Sequence, residues 1–215
     1  MVNIVYEDNH LLVVEKPINI PVQKDSSKDL DLLTMLKEYL KRKYNKPGNV
    51  YLGLVHRLDR PVGGIMVFAK TSKAASRLSE QIRNSIFKKK YLAVVCGNVK
   101  SNDILEDYLL KDSKTNMVKV DSNGKKSTLE YKKIEYREGL SLVEIDLLTG
   151  RSHQIRVQFA SRGYPLYGDQ RYNKNAKVGE QIALFSNCIT FEHPIKKEKL
   201  IFKLDLPTRN PWNKF

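Results

Sequence analysis

The chain has 215 residues and a formal net charge of +14, from 38 Lys and Arg against 24 Asp and Glu. This length allows a sizeable buried core, and a hydrophobic content of 41% excludes an extended disordered chain. No apolar run approaches the ~20 residues of a membrane-spanning helix, and two cysteines, Cys96 and Cys188, are too few for a disulfide framework.

The N-terminal part of the chain contains short apolar runs bounded by turn residues, which predict strands. They are Ile4–Tyr6, Leu11–Val14, Val50–Val55 and Ile65–Ala69. Two helices are predicted by apolar residues at helical spacing. The first covers Asp31–Tyr44, before Pro47-Gly48, and the second begins at Ser72 as N-cap, with Ala75, Leu78 and Ile82 on its inner face.

The C-terminal part is predicted to consist mainly of strands. They are Tyr91–Val95, Ile104–Leu110, Met117–Val120, Ser127–Glu135, Ser141–Leu147, Ile182–Phe185, Ile189–Glu192 and Leu200–Leu204. Several connections are too short for crossovers, which favours a meander-like antiparallel arrangement.

The segment His153–Arg162 fits two patterns. Alternating apolar residues fit a strand, whereas Ser152 as cap and Gly163 as terminator fit a helix. Because both end signals are present, we predict a helix, with His153 and Arg156 on one face.

Two polar segments carry the candidate chemistry. His56-Arg57-Leu58-Asp59 lies between two predicted strands, before a turn containing Pro61 and Gly63-Gly64. A carboxylate and several cations are therefore presented on a loop, where catalytic groups are often found. Gly150–Arg156, G-R-S-H-Q-I-R, is similarly rich in groups that could face that carboxylate.

These segments resemble the RluA-type pseudouridine synthases. The pattern H-R-L-D, a Gly-containing turn, an apolar strand and A-K-T resembles the catalytic motif of that family. The further motifs and weaker similarities occur in the family's order and cover nearly the whole chain. They are Gly150–Val157, Gly163–Asp169, Tyr91 within Lys89–Gly97, Glu7–Pro17 and Phe191–Pro194.

The resemblance implies an α+β fold with a mixed, mostly antiparallel β-sheet, flanking helices and a central RNA-binding cleft. It implies one catalytic domain over residues 1–215, and we recognise no S4 RNA-binding module in the sequence. The reaction would isomerise uridine to pseudouridine. Since the product is an isomer, we expect neither a cofactor nor a metal.

The resemblance also implies roles for three residues. Asp59 would be the carboxylate nucleophile that attacks the sugar C1′, although attack at base C6 is an open alternative. Arg156 would pair with the Asp59 carboxylate, for which its fork geometry is suited. Tyr91 would contact the target base and accept the C5 proton, for which its ordinary pKa near ~10 would need a shift or a relay.

Other basic residues are expected to contact RNA. Arg57 would contact RNA or fill the space left by an extruded base. The remaining expected RNA contacts are His56, Arg151, His153, Lys88, Lys89 and Lys90. For His56, orientation of the loop by hydrogen bonds is the alternative. Asp169, by contrast, is expected to be a turn or helix-start residue.

The chain departs from the family's usual pattern at two places. Val62-Gly63-Gly64 stands where Thr-Ser-Gly is usual, which removes two hydroxyls from the motif loop. Gln158 stands where His is common, and Gln still donates and accepts hydrogen bonds.

Two other functional classes compete with this one. One alternative is a non-catalytic RNA-binding or RNA-remodelling protein on the same scaffold. A phosphodiesterase or glycosidase is disfavoured, since neither a second motif carboxylate nor a metal-ligand cluster stands out. We expect the protein to bind RNA, either rRNA or tRNA, and to need neither a membrane nor an obligate protein partner. We also expect it to be a monomer in the cytoplasm.

Overall fold

The computed structural model describes residues 2–215, and the chain forms two compact units. The first unit contains the chain up to Lys88 together with Ser186–Leu204, and the second contains Lys89–Phe185 and Asp205–Phe215. Within residues 2–215, helices are too short or too polar to span a membrane.

Eleven strands and three α-helices are found in the described residues, in agreement with the predicted α+β class. In chain order they are β1 (Asn3–Glu7), β2 (Leu11–Lys16), α1 (Leu32–Lys43), β3 (Gly53–Leu54), β4 (Gly63–Ala69), α2 (Ser72–Arg83), β5 (Lys88–Cys96), β6 (Asn102–Lys111), β7 (Val118–Val120), β8 (Lys125–Arg137), β9 (Leu140–Leu147), α3 (Gln154–Ala160), β10 (Leu184–Glu192) and β11 (Lys199–Lys203).

The sheet of the first unit has the order β1-β2-β4-β10, with β3 paired to β4 and β11 paired to β10. Strand β4 is buried along its whole length, and β2 is buried at all but one residue, so these two strands form the centre of this unit. They pair antiparallel from Leu11 opposite Ala69 to Lys16 opposite Gly64. This register brings the end of β2 to the loop that carries Asp59.

The sheet of the second unit is antiparallel, in the order β5-β9-β8-β6-β7. Strand β8 lies between β6 and β9, and β7 pairs with the other edge of β6. The order of strands in this sheet therefore differs from their order in the chain. Helix α3 is bound to this sheet by two buried glutamines. Gln158 Nε2 donates to Leu105 O at 3.0 Å, and Gln154 Nε2 donates to Thr128 O at 3.1 Å.

Most predicted elements are confirmed, but several boundaries were wrong. The predicted strand over 50–55 shortens to Gly53–Leu54. The two predicted strands at 182–185 and 189–192 are one strand, β10. Polar Ser186 and Asn187 interrupt the apolar pattern, yet both are buried there, and Ser186 Oγ donates to Ile65 O at 3.1 Å.

The first residues of two helices also differ from the prediction. Thr71 caps α2 in place of Ser72, because its Oγ1 accepts the Ala74 N–H at 3.2 Å. His153 is the N-cap of α3 in place of Ser152, with φ 51° and without a side-chain capping bond. Helix rather than strand is confirmed for the segment containing Arg156.

Strands β4 and β10 approach each other closely at Gly64. Its φ is +121°, and a Cβ there would collide with the backbone of Ser186. We therefore expect Gly64→Ala to lower the free energy of unfolding by roughly 2–4 kcal/mol. Denaturant unfolding measures the change, with Gly48→Ala as control, because Gly48 has open space around it. Equal stabilities for the two variants would contradict this close approach.

Candidate active site

Asp59 lies on a tight turn that is anchored at both ends. The Val62 N–H donates to Asp59 O at 3.0 Å, which closes the turn, and the preceding Leu58 is buried. Asp59 itself is half-buried. Arg60, next in the chain, pairs with Asp29 and donates from Nε to Asn19 O at 3.2 Å. The carboxylate therefore stands on a segment whose neighbours have fixed partners.

A buried lysine supports this turn from the end of β2. Lys16 is 1% exposed, and its Nζ donates to Pro17 O at 2.9 Å, Arg60 O at 3.0 Å and Val62 O at 2.8 Å. Burial lowers the pKa of Lys16 to about 8, while the Asp59 charge raises it and the Arg60 charge lowers it. Lys16 is thus a cation at the Asp59 turn that the sequence reasoning missed, although it stands in the Glu7–Pro17 similarity.

His56 joins the same loop to β4. Its Nε2 accepts the Val67 N–H at 3.1 Å, and its ring lies 5.4 Å from that of Phe87. Because Nε2 accepts this bond, it carries no proton. This hydrogen bond allows His56 to orient the loop. Arg57, by contrast, is exposed, as an RNA contact requires.

Tyr91 lies on β5, where successive side chains alternate between faces. Tyr91 is buried and shares its face with Lys89, whereas Lys88 and Lys90 belong to the opposite face. The Lys90 Nζ pairs with Glu144 at 2.9 Å and Asp146 at 3.2 Å. The predicted basic cluster is therefore divided between two faces of one strand.

Lys89 occupies a distinctive place beside the second motif. Burial lowers the pKa of its ammonium group. Its Nζ lies 3.2 Å from the point where a Cβ on Gly150 would stand, so Gly150 leaves room for this cation. Lys89 is therefore a largely buried lysine whose side chain lies on the same face of β5 as Tyr91.

Arg156 is 4% exposed on α3, and the carboxylate of Asp169 binds its guanidinium in a bidentate pair. Nε donates to Oδ2 at 2.8 Å and Nη2 donates to Oδ1 at 2.6 Å. The guanidinium carbon lies 5.1 Å from the centre of the Tyr172 ring. Asp169 was predicted as a turn residue, and the Tyr172 N–H does donate to Asp169 O at 3.3 Å. Its carboxylate, however, has a further role that the sequence did not indicate.

Tyr172 also contacts His153. The two side chains are joined by a 2.8 Å hydrogen bond between the Tyr172 hydroxyl and His153 Nδ1. The Val118 N–H donates to the same hydroxyl at 2.9 Å. Burial raises the pKa of Tyr172. Two predicted site residues, His153 and Arg156, thus meet at a tyrosine that no sequence pattern singled out.

Arg151 and Gln158 complete the second motif. Arg151 is exposed, and its Nε donates to Lys126 O at 3.2 Å. Gln158 is fully buried and donates to Leu105 O, Asp107 Oδ2 and Ser127 O, at 3.0, 2.8 and 3.3 Å. Glutamine at this position is therefore well accommodated. The pairing of Asp59 with Arg156 stays a prediction.

Comparison with known proteins identifies similar sequences along most of the chain. The family model described as RNA pseudouridylate synthase matches residues 10–161. The ribosomal large subunit pseudouridine synthase C of Vibrio parahaemolyticus is 34% identical, over 91% of this chain and 62% of its own length. The protein of that name from Buchnera aphidicola subsp. Acyrthosiphon pisum is 33% identical, over 98% and 69%. The chain thus spans 62% to 69% of the length of these two relatives.

Two solved structures share the fold. Human RNA pseudouridylate synthase domain containing 1 has a TM-score of 0.79 at 23% identity, covering 97% of this chain and 85% of that chain. Human RNA pseudouridylate synthase domain containing 4 has a TM-score of 0.80 at 21% identity, covering 95% and 88%. These structures support the mostly antiparallel α+β architecture.

The depressed pKa of Lys16 predicts a pH-dependent stability. Between about 8 and the ordinary value of 10.5, the unfolded chain binds more protons at Lys16 than the folded chain. The free energy of unfolding should therefore rise with pH in this window relative to Lys16→Met, which cannot titrate. Urea unfolding of both proteins below and within the window measures the difference. Lys24→Met, at an exposed lysine, is the control, and an equally large change in that control would contradict the assignment.

Proposed function

The chain belongs to the RNA pseudouridylate synthase family, and we propose that it isomerises specific uridines in structured RNA to pseudouridine. The observation that carries this proposal is the Asp59 turn. A carboxylate in the H-R-L-D pattern is held on a closed turn, and a buried lysine binds the carbonyl groups of that turn from beneath. Such a fixed carboxylate suits nucleophilic attack, since the reacting oxygen needs little reorganisation.

The proposed reaction begins with attack of an Asp59 oxygen on C1′ of the flipped uridine. The N1–C1′ bond breaks and its electrons remain with the uracil. The base then rotates, C5 forms the new bond to C1′, and the Asp59 oxygen leaves. Tyr91 accepts the proton from C5 while its own hydroxyl proton passes to solvent in a relay, and a proton is returned to N1 from solvent, so that substrate and product are isomers. Attack of Asp59 at base C6 is the alternative first step.

Arg156 is proposed to pair with the Asp59 carboxylate, for which its fork geometry is suited. Exposed Arg57, next to the turn, is proposed to enter the space left by the flipped nucleotide. Arg151, His153 and Lys89 are proposed to bind the RNA around the target. Cations that lie near RNA phosphates would raise the affinity for RNA without contributing to sequence specificity.

The relatives' names specify the large ribosomal subunit, so large-subunit ribosomal RNA is the first substrate to test, with tRNA as the second. The non-catalytic alternative would retain the basic surface, but it gives no reason for a carboxylate on a braced turn. A cytoplasmic location, a monomeric state and the lack of an obligate protein partner stay predictions.

Asp59→Ala should abolish pseudouridine formation while RNA binding survives, because the nucleophile is lost and the basic groups remain. Pseudouridine maps of total RNA from cells lacking the gene, rescued with wild type or with Asp59→Ala, test this directly. Asp25→Ala is the control, since Asp25 is an exposed carboxylate of the same unit that accepts hydrogen bonds from the N–H and hydroxyl of its neighbour Ser27. We expect wild type and Asp25→Ala to restore the same sites.

If Asp59→Ala restored those sites, the assignment of Asp59 as the nucleophile would be wrong. A purified wild-type protein that binds these RNAs but forms no pseudouridine would instead favour the non-catalytic alternative.

RNA affinity should fall steeply with salt, and Lys89 should account for part of that dependence. We expect Lys89→Ala to reduce the slope of log affinity against log salt by about 0.7–0.9, the value for one lost phosphate contact. Lys90→Ala should change the slope less, because Glu144 and Asp146 already neutralise that ammonium. Binding titrations over a salt series measure both slopes. A larger change for Lys90→Ala would place the RNA on the opposite face of β5.

A further inference from the structure

Asp169 and Tyr172 hold the guanidinium of Arg156 from two directions. Asp169 binds the edge formed by Nε and Nη2, and the ring of Tyr172 lies 5.1 Å from the guanidinium carbon. Resting on the proposed function, we propose that these two residues form a positioning clamp for Arg156, and that Asp169 is a positioning residue for uridine isomerisation.

The geometry of the pair determines which edge of Arg156 can serve the reaction. A guanidinium is a planar fork with N–H groups on two edges suited to carboxylates. Asp169 occupies the Nε edge, so the edge formed by Nη1 and Nη2 is the one that can meet a second carboxylate or a substrate oxygen. By fixing one edge, Asp169 determines the direction of the other.

Stability alone does not account for this pair. The side chains of Arg156 and Asp169 are 5% and 0% exposed, so both charges have lost their hydration. Replacing a buried ion pair by well-packed apolar residues is often neutral or stabilising. A role in orientation therefore explains the pair better than a contribution to folding.

The loop that carries the clamp is itself fixed. The N–H groups of Arg171 and Asn173 donate to Asp169, to Oδ1 at 3.1 Å and to the backbone oxygen at 2.8 Å. Gly168 has φ +68°, and a Cβ there would collide with the backbone of Gln181. A loop so closely packed can hold the Asp169 carboxylate at one position, as an orienting group requires.

Tyr172 extends the clamp to His153. Its hydroxyl accepts the Val118 N–H at 2.9 Å, so its own proton can be donated to His153 Nδ1, 2.8 Å away. A neutral His153 would then carry its proton on Nε2 and offer a donor there. The clamp thus orients His153, which is proposed to bind RNA, together with Arg156, which is proposed to pair with Asp59.

The test is a double-mutant cycle between Asp169→Asn and Arg156→Lys, read by single-turnover pseudouridine formation and by RNA affinity. Lysine keeps the charge but cannot form the fork. We expect Asp169→Asn to slow the reaction at least about 100-fold with RNA affinity retained. Its melting temperature should fall, because Arg156 loses a buried partner, so the rates are compared at a temperature where the variant is folded. The double variant should be no slower than Arg156→Lys, because Asp169 acts through Arg156.

Asp121→Asn is the matched control, since Asp121 pairs with Lys119 of the same unit at 2.7 Å. It should keep the wild-type rate, and in combination with Arg156→Lys it should leave the rate of that variant unchanged. An unchanged rate in Asp169→Asn, or a loss that multiplies fully with that of Arg156→Lys, would overturn the proposal. So would a fall in RNA affinity that accounts for the whole loss of rate.

Should Asp169→Asn fail to fold, Asp169→Glu tests the same point, because it keeps the charge but displaces the carboxylate by one methylene. A slow but folded Asp169→Glu supports the clamp, and a wild-type rate overturns it. A wild-type protein that forms no pseudouridine refutes the proposed function itself, which separates that failure from the failure of the clamp.

Discussion

Burial of a charge is tolerated only where fixed partners replace the lost water, and this constraint applies to a buried cation in each unit. In the second unit, Arg156 is buried on α3 and the Asp169 carboxylate compensates for its lost hydration. In the first unit, Lys16 is buried at the end of β2 and three carbonyl oxygens compensate. Each partner is supplied by a loop, so the buried charge determines where that loop must lie.

As a consequence, the segments that carry the two proposed reactive groups, Asp59 and Arg156, are fixed by buried ionic groups. Lys16 binds the carbonyls of Arg60 and Val62, on the turn closed at Asp59, and its charge interacts with the Asp59 carboxylate. Asp169 binds one edge of Arg156 and so directs the other. Preorganised groups of this kind need little rearrangement during reaction, which is a principal source of catalytic rate. The proposed isomerisation would use both arrangements.

The sequence predicted elements well where local periodicity and end signals agreed. Helix α1 begins after Asp31, whose carboxylate accepts the Thr34 N–H at 3.0 Å, and Leu32, Leu36 and Leu40 on its apolar face are buried. Prediction failed where a tertiary contact overrode the local pattern. Ser186 and Asn187 are polar yet continue β10, because Ser186 bonds to β4 and the Asn187 carbonyl accepts the Leu204 N–H.

What the sequence determined by itself was the family, the α+β class and the candidates Asp59, Tyr91 and Arg156, because motif order and strand or helix periodicity are local properties of the chain. What only the tertiary structure decided was which groups stand behind those candidates. Lys16 lies 44 residues before Arg60, and Asp169 lies 13 residues after Arg156. Contacts over such separations depend on strand register and loop path, which no local pattern contains. The support of the site therefore became visible only when the folded chain brought these residues together.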